Sequence, residues 1–275
     1  MNIKKWLAGL LVVLLVLTGC GSNTNDKEEE AVKEPTDEVV IYIARHGKTM
    51  LNTVDRSQGW IDAPLTPAGV EVAEALGEGL KSEGITFDSV YTSDSGRAIE
   101  TAEIVLSTKG QELEIHKDKR LREYNFGTLE GMPNEDMQAE VAESMGMTYE
   151  EWGAHLQDVG FARGILEFAD AIAKLDKSKE EEEGLNWLAE DSETIKTRLQ
   201  EAYDDIVKEA MDNGDSNVLV VSHGMSIATF AYMIDENADI PASGLKNASI
   251  TRIRYKDGKY TVEVVNDLSY IEKGQ

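Results

Sequence analysis

The chain contains a single cysteine, Cys20. An internal disulfide is therefore excluded, and so are cysteine-ligated metal sites and thiol catalysis in the globular part. Basic residues are scarce as well: 27 Lys and Arg stand against 52 Asp and Glu, a net charge of −25. Such a surface lacks the cations that neutralise nucleic-acid phosphates, which excludes nucleic acid as a partner. It also opposes electrostatic adhesion to anionic lipid. An anionic substrate then needs a pocket that reverses the sign locally, so clustered arginines would be informative. No internal repeat is present, and the apolar run Trp6–Leu17 is too short for a comfortable membrane span.

What is present begins with a targeting segment. Lys4 and Lys5 precede the apolar run, and Leu17-Thr18-Gly19-Cys20 follows it. This layout is that of a secretory signal, and its end resembles the processing site of bacterial lipoproteins. The resemblance implies a signal peptide over 1–19 and a lipid on Cys20, the membrane anchor of an extracytoplasmic protein. Residues 20–38 are polar, acidic and without apolar periodicity, as a disordered tether is. Residues 39–275 suit one α/β domain with a substantial core.

Two apolar stretches organise that domain. Val39–Ala44 and Val218–Val221 are apolar on both parities, as expected of strands buried on both faces. Each ends in His-Gly: Arg45-His46-Gly47 after the first, Ser222-His223-Gly224 after the second. Ligand crevices form outside the carboxyl ends of parallel strands. Neighbouring parallel strands would therefore bring His46 and His223 face to face. Between and around them, helices are predicted over Thr66–Gly84, Arg97–Ser107 and Asp191–Met211, with a weakly capped helical stretch over Asn134–Asp176. Short strands are predicted at Val90-Tyr91 and Leu113–His116, a solvated turn at Lys179–Gly184, and a hairpin about Asp257-Gly258. Strands alternating with helices predict a three-layer α/β/α fold with a mostly parallel sheet. From these residues alone, His46 reads as a nucleophile and Arg45 as part of an anion pocket.

Five blocks in order resemble the histidine phosphatase superfamily, in its phosphoglycerate-mutase-like branch. Arg45-His46-Gly47-Lys48-Thr49-Met50-Leu51-Asn52 is similar to the signature Arg-His-Gly-x-Thr-x-x-Asn. Gln58–Thr66, Ser93–Ala98 with Thr101-Ala102, Leu121–Glu123 with Phe126-Gly127 and Glu130-Gly131, and Val221–Gly224 fit the later blocks. The resemblance implies His46 as nucleophile and Arg45, Arg97 and His223 as phosphoryl ligands. It implies Glu123 as proton donor and base, Asn52 as a phosphate contact, and Gln58 and Thr49 as pocket lining. The loop also holds Glu130, and in so acidic a chain either glutamate could be plain surface. The implied reaction needs no metal and no cofactor; its partner is a small phosphorylated substrate. Oligomeric state is not legible.

Residues 132–190 are long for a minimal member and are expected to form a helical cap, with Trp152, Phe161, Phe168 and Trp187 on its inner face. The branch contains phosphatases and phosphoglycerate mutases. Extracytoplasmic placement favours phosphomonoester hydrolysis over mutase chemistry, whose substrates are cytosolic. A silent phospho-ligand-binding protein is the third alternative.

Overall fold

The computed structural model describes residues 33–183 and 187–275. The expected signal peptide, Cys20 and most of the tether lie outside the described residues. No helix among the described residues is long and apolar enough to cross a membrane.

One six-stranded sheet carries the domain. Its strands are β1 (Glu38–Arg45), β2 (Ser89–Thr92), β3 (Ile115–Lys117), β4 (Asn217–Ser222), β5 (Ile250–Lys256) and β6 (Lys259–Asp267), in the order β3-β2-β4-β1-β5-β6. The first four of that order run parallel, and β5 and β6 close one edge antiparallel. The mostly parallel sheet is thus as expected. Its central strands show why both parities are apolar. Val39, Ile41 and Ile43 of β1, with Val218 and Val220 of β4, join the core on one face. Tyr42 and Ala44, with Leu219 and Val221, join the core on the other. Alternate side chains of a strand point to opposite faces, so a strand covered on both sides is apolar throughout.

Helices α2 (Pro67–Ser82), α3 (Gly96–Lys109) and α9 (Ser269–Gly274) cover the second face. The predicted cap of α2 is present: the Thr66 side chain accepts from Gly69 N, and Pro67 opens the helix. The first face is covered by α7 (Ser192–Asn213), α8 (Gly224–Ile234) and the expected cap insertion. The β5–β6 hairpin turns at Asp257 and Gly258, with φ of 52° and 74°. Positive φ at both positions suits a turn whose twist matches the strands.

Three expectations need correction. The stretch Asn134–Asp176 is three helices, α4 (Asn134–Ser144), α5 (Tyr149–Val159) and α6 (Phe161–Glu183). Its caps are not all weak, because Thr148 and Glu151 form a reciprocal capping box at the start of α5. Lys179–Glu183 is not a turn but the end of α6. The tether also ends sooner than its composition suggests. Glu38 already lies in β1 and pairs with Lys256 at 2.6 Å, and Lys33 Nζ reaches Asp88 at 2.6 Å.

Candidate active site

The site follows from the register of β1 on β4. Arg45 lies opposite Ser222, so the next residue of each strand leaves the sheet on the same side. The His46 and His223 rings are 5.2 Å apart, centre to centre. The chain must turn at once after His46. There a Cβ on Gly47 would stand 2.6 Å from the Gly69 carbonyl oxygen, closer than any side chain permits. Next come α1 (Met50–Thr53) and the loop of residues 54–66 that forms one wall.

His46 is buried, and its Nδ1 donates to Gly47 O at 2.7 Å. A carbonyl only accepts, so the proton sits on Nδ1 and Nε2 keeps its lone pair. Burial above all, then the charges of Arg97 and Arg45, holds the His46 pKa well below the usual imidazole value. The ring is neutral at neutral pH, as a nucleophile must be.

Above it lies a cavity of about 350 Å³ lined by Arg45, His46, Asn52, Gln58 and Glu123. Arg45 Nη1 donates to Leu245 O, while Arg45 Nε is buried with no partner. Burial lowers the Arg45 pKa, but a guanidinium remains charged. Gln58 repeats the pattern. Its Oε1 accepts from Thr49 Oγ1 at 2.6 Å, which leaves Nε2 buried and unpartnered. Asn52 Oδ1 accepts from Thr49 N and Asn247 Nδ2, so the Asn52 amide nitrogen is left to donate. Buried donors are normally paired, because an unpaired one costs about 1–3 kcal/mol. Two orphaned donors beside a lone-pair nitrogen form a cradle for an anion that nitrogen can attack.

Three expected site residues are not among those that line this cavity. Thr49 is fully buried and does not line it; it caps α1 and orients Gln58. Arg97 and His223, expected as phosphoryl ligands, are not among its lining residues either, although the His223 ring adjoins that of His46. Arg97 donates to Gly59 O at 2.8 Å, Ile61 O and Asp62 Oδ1 at 3.0 Å each, and twice to His223 Nδ1. All five guanidinium N–H groups are taken, so direct contact with phosphate requires one of these bonds to exchange. His223 Nδ1 only accepts there, which puts its proton on Nε2, 3.2 Å from Ser95 Oγ. Burial first, then Arg97 and other cations, holds His223 neutral too.

The two glutamates of the loop separate cleanly. Glu130 accepts from four backbone amides, those of Gly59, Trp60, Ile61 and Phe126. It clasps the loop that supplies the Arg97 acceptors. Glu123 lines the cavity, held at the first turn of α8. Its Oε1 accepts from Tyr124 N, Ser226 N and Ser226 Oγ, and its Oε2 accepts only from Met225 N at 3.0 Å. Free amides at a helix start suit a carboxylate. Oε2 retains the capacity to exchange a proton with a ligand.

Residues not anticipated from sequence also act here. Asn247 Nδ2 donates to His46 O at 3.0 Å and so ties the nucleophile to a loop 201 residues away. Arg198 on α7 donates to the carbonyls of Arg120, Arg122 and Glu123 and pairs with Glu190 at 2.7 Å. It fixes the strand of loop that carries Glu123. Arg56 lines the cavity rim. None of these has a local sequence signal. Arg122 forks onto Asp94 at 2.6 and 2.7 Å, away from the cavity.

The profile of the histidine phosphatase superfamily (branch 1) matches residues 41–164 and 161–268. The chain belongs to this superfamily. Among solved structures it is similar to a phosphoglycerate mutase from Bacillus anthracis str. Sterne, with 44% identity and a TM-score of 0.77 over 87% of this chain and 98% of that one. It is also similar to Bacillus stearothermophilus YhfR, at 30% identity and TM-score 0.59, covering 85% and 99%. A curated relative from Erwinia tasmaniensis, named "Probable phosphoglycerate mutase GpmB", is 28% identical over 84% of this chain and 94% of its own. His46 and Glu123 line one cavity, so a lone-pair nitrogen and a carboxyl group meet at a single site.

Proposed function

We propose that the domain hydrolyses phosphomonoesters through a phosphohistidine on His46. The observation that carries this reading is the neutral His46 Nε2 beside two unpartnered buried donors, Arg45 Nε and Gln58 Nε2. Nε2 attacks phosphorus; the P–N bond forms as the ester P–O bond breaks. Arg45, Gln58 and Asn52 hold the equatorial oxygens, where the transition-state charge is spread. Glu123 relays a proton through Oε2 from the monoprotonated phosphoryl group to the departing alkoxide. In the second half it takes a proton from water, whose oxygen attacks phosphorus and releases phosphate and His46. That proton leaves on the phosphate, so Glu123 ends each cycle in the state in which it began. The Nδ1–H bond to Gly47 O stabilises the charge that the phosphorylated ring carries. His223, whose ring adjoins that of His46, and Arg97, bonded to His223, complete the phosphoryl pocket once one of the Arg97 bonds exchanges.

Phosphate release from a chromogenic phosphomonoester, compared with His46→Ala, tests the reading. No release above that control from acidic to neutral pH would sink it. A mutase reading is favoured by the name of the 44%-identical Bacillus anthracis relative. It requires interconversion of 2- and 3-phosphoglycerate that depends on a bisphosphate primer. Among the described residues, Arg45 and Arg56 are the only cations lining the cavity, a sparse lining for two anionic groups.

The N-terminal pattern supports a further part of the proposal, that the domain works outside the cell membrane on a lipid carried by Cys20. Radiolabelled palmitate incorporated by the wild type and not by Cys20→Ser would support it, and equal incorporation would refute it.

A further inference from the structure

The cavity has two unlike walls. The catalytic wall is polar, as described. The facing wall is built by the cap: the apolar Met137 of α4, Trp152 and Leu156 of α5, and Phe161, Ile165 and Phe168 of α6, with the neutral polar Asn134 and Gln138 of α4 beside them. Spacings of four along α5, and of four and seven along α6, put each set on one helix face. Trp187, expected among them, is instead 58% exposed and takes no part. Trp152, Ile165 and Phe168 are buried, whereas Leu156 and Phe161 are half-buried at the cavity surface. Among the described residues no Lys, Asp or Glu lies on this wall, and Arg56, which also lines the cavity, is already bonded to Gly131 O at 2.6 Å. Trp152 Nε1, buried without a partner, adds a donor but no charge.

An ester bound with its phosphoryl group on the catalytic wall must set its alcohol against this one. Asn134, Gln138 and Trp152 Nε1 can each meet a hydroxyl, but a sugar or a carboxylate spread over the six apolar side chains would surrender water without replacement bonds. An apolar alcohol gains by leaving water. We infer that the preferred substrates are monophosphate esters of apolar, uncharged alcohols, alkyl or aryl, with the cap helices reading the alcohol. This rests on the hydrolytic reading for turnover but not for binding.

The test is therefore made first on binding, with n-alkylphosphonates from ethyl to octyl, which carry the phosphoryl group but no cleavable ester. Calorimetry on the wild-type protein should show affinity rising about three- to fourfold per methylene until the wall is covered. Phe161→Ser and Leu156→Asn, both at half-buried positions, should flatten that rise and leave ethylphosphonate affinity within about twofold. Either variant suffices if the other fails to fold by circular dichroism. Affinity independent of chain length, or tighter binding of 3-phosphoglycerate than of octylphosphonate, would overturn the inference. Turnover is read separately on the matching alkyl phosphates. A chain-length effect on binding without phosphate release would keep the substrate-binding inference and refute hydrolysis. Release that ignores chain length would do the reverse.

Discussion

Replacing Glu123 by Gln separates chemistry from structure at the site. Glu123 Oε1 accepts three bonds and Oε2 accepts one. A glutamine can keep its oxygen in the three-donor position. Its NH2 then meets Met225 N, donor against donor, and one charge-assisted bond is lost. That costs about 1.5–3 kcal/mol. The catalytic loss should be larger, because a positioned acid–base group contributes roughly 10²–10⁴-fold. It should also depend on the leaving group. p-Nitrophenolate departs with little help, whereas an alkoxide needs the proton. The kcat/KM for an alkyl phosphate, which reports the step that expels the alcohol, should therefore fall by at least tenfold more than that for p-nitrophenyl phosphate. Glu130→Gln, which weakens the clasp on four amides, should lower denaturation midpoints and show no such leaving-group dependence. Equal losses on both esters for Glu123→Gln, or a leaving-group effect in Glu130→Gln, would refute the assignment of roles.

Other outcomes follow from the same contacts. Arg198→Met strands Glu190 and frees three carbonyls of the Glu123 loop; both partners of the pair are largely buried, so about 3–5 kcal/mol of stability should be lost in urea titration. The folded fraction should have lower kcat with little change in KM. His46 and His223 are held below the ordinary imidazole value of 6.5, so the unfolded chain binds more protons as pH falls beneath it. Stability is undiminished by this effect above about pH 6.5 and is lost below it, at up to about 1.4 kcal/mol per pH unit for each histidine. His46→Asn should remove one such contribution, and parallel stability curves between pH 6.5 and 5 for variant and wild type would contradict it. Activity on p-nitrophenyl phosphate should be indifferent to EDTA; inhibition reversed by a divalent ion would contradict the metal-independent mechanism.

Much of this architecture was legible in the sequence because burial on both faces leaves a strong mark. β1 and β4 read as apolar on both parities, and the His-Gly ends placed the two imidazoles together before any coordinates. The Thr66-Pro67 start and the Asp257-Gly258 turn were equally plain, since each depends on local backbone chemistry. The cap was harder. Its segment reads as one amphipathic stretch because Gly146 and Gly160 interrupt a helical periodicity that resumes in a new direction. The charge run of Lys179–Glu183 suggested a turn, although charged residues are good helix formers and α6 simply continues through them. At the site, resemblance could name Arg97 and His223 but not their saturation, which depends on carbonyls of Gly59 and Ile61. Asn247 and Arg198 were invisible for the same reason: their partners are backbone atoms far away in the chain. Two glutamates seven residues apart could be told apart only by which one meets the cavity.

The central claim is covalent transfer to His46. Rapid acid-free quench of the wild-type protein with ³²P-labelled p-nitrophenyl phosphate, followed by peptide mapping, tests it most directly. Label that is stable to base, labile to acid and confined to the peptide bearing His46, absent in His46→Ala and accumulating in Glu123→Gln, is the predicted result. Label on a serine or a carboxylate, or steady turnover with no protein-bound phosphate at any time, would contradict it.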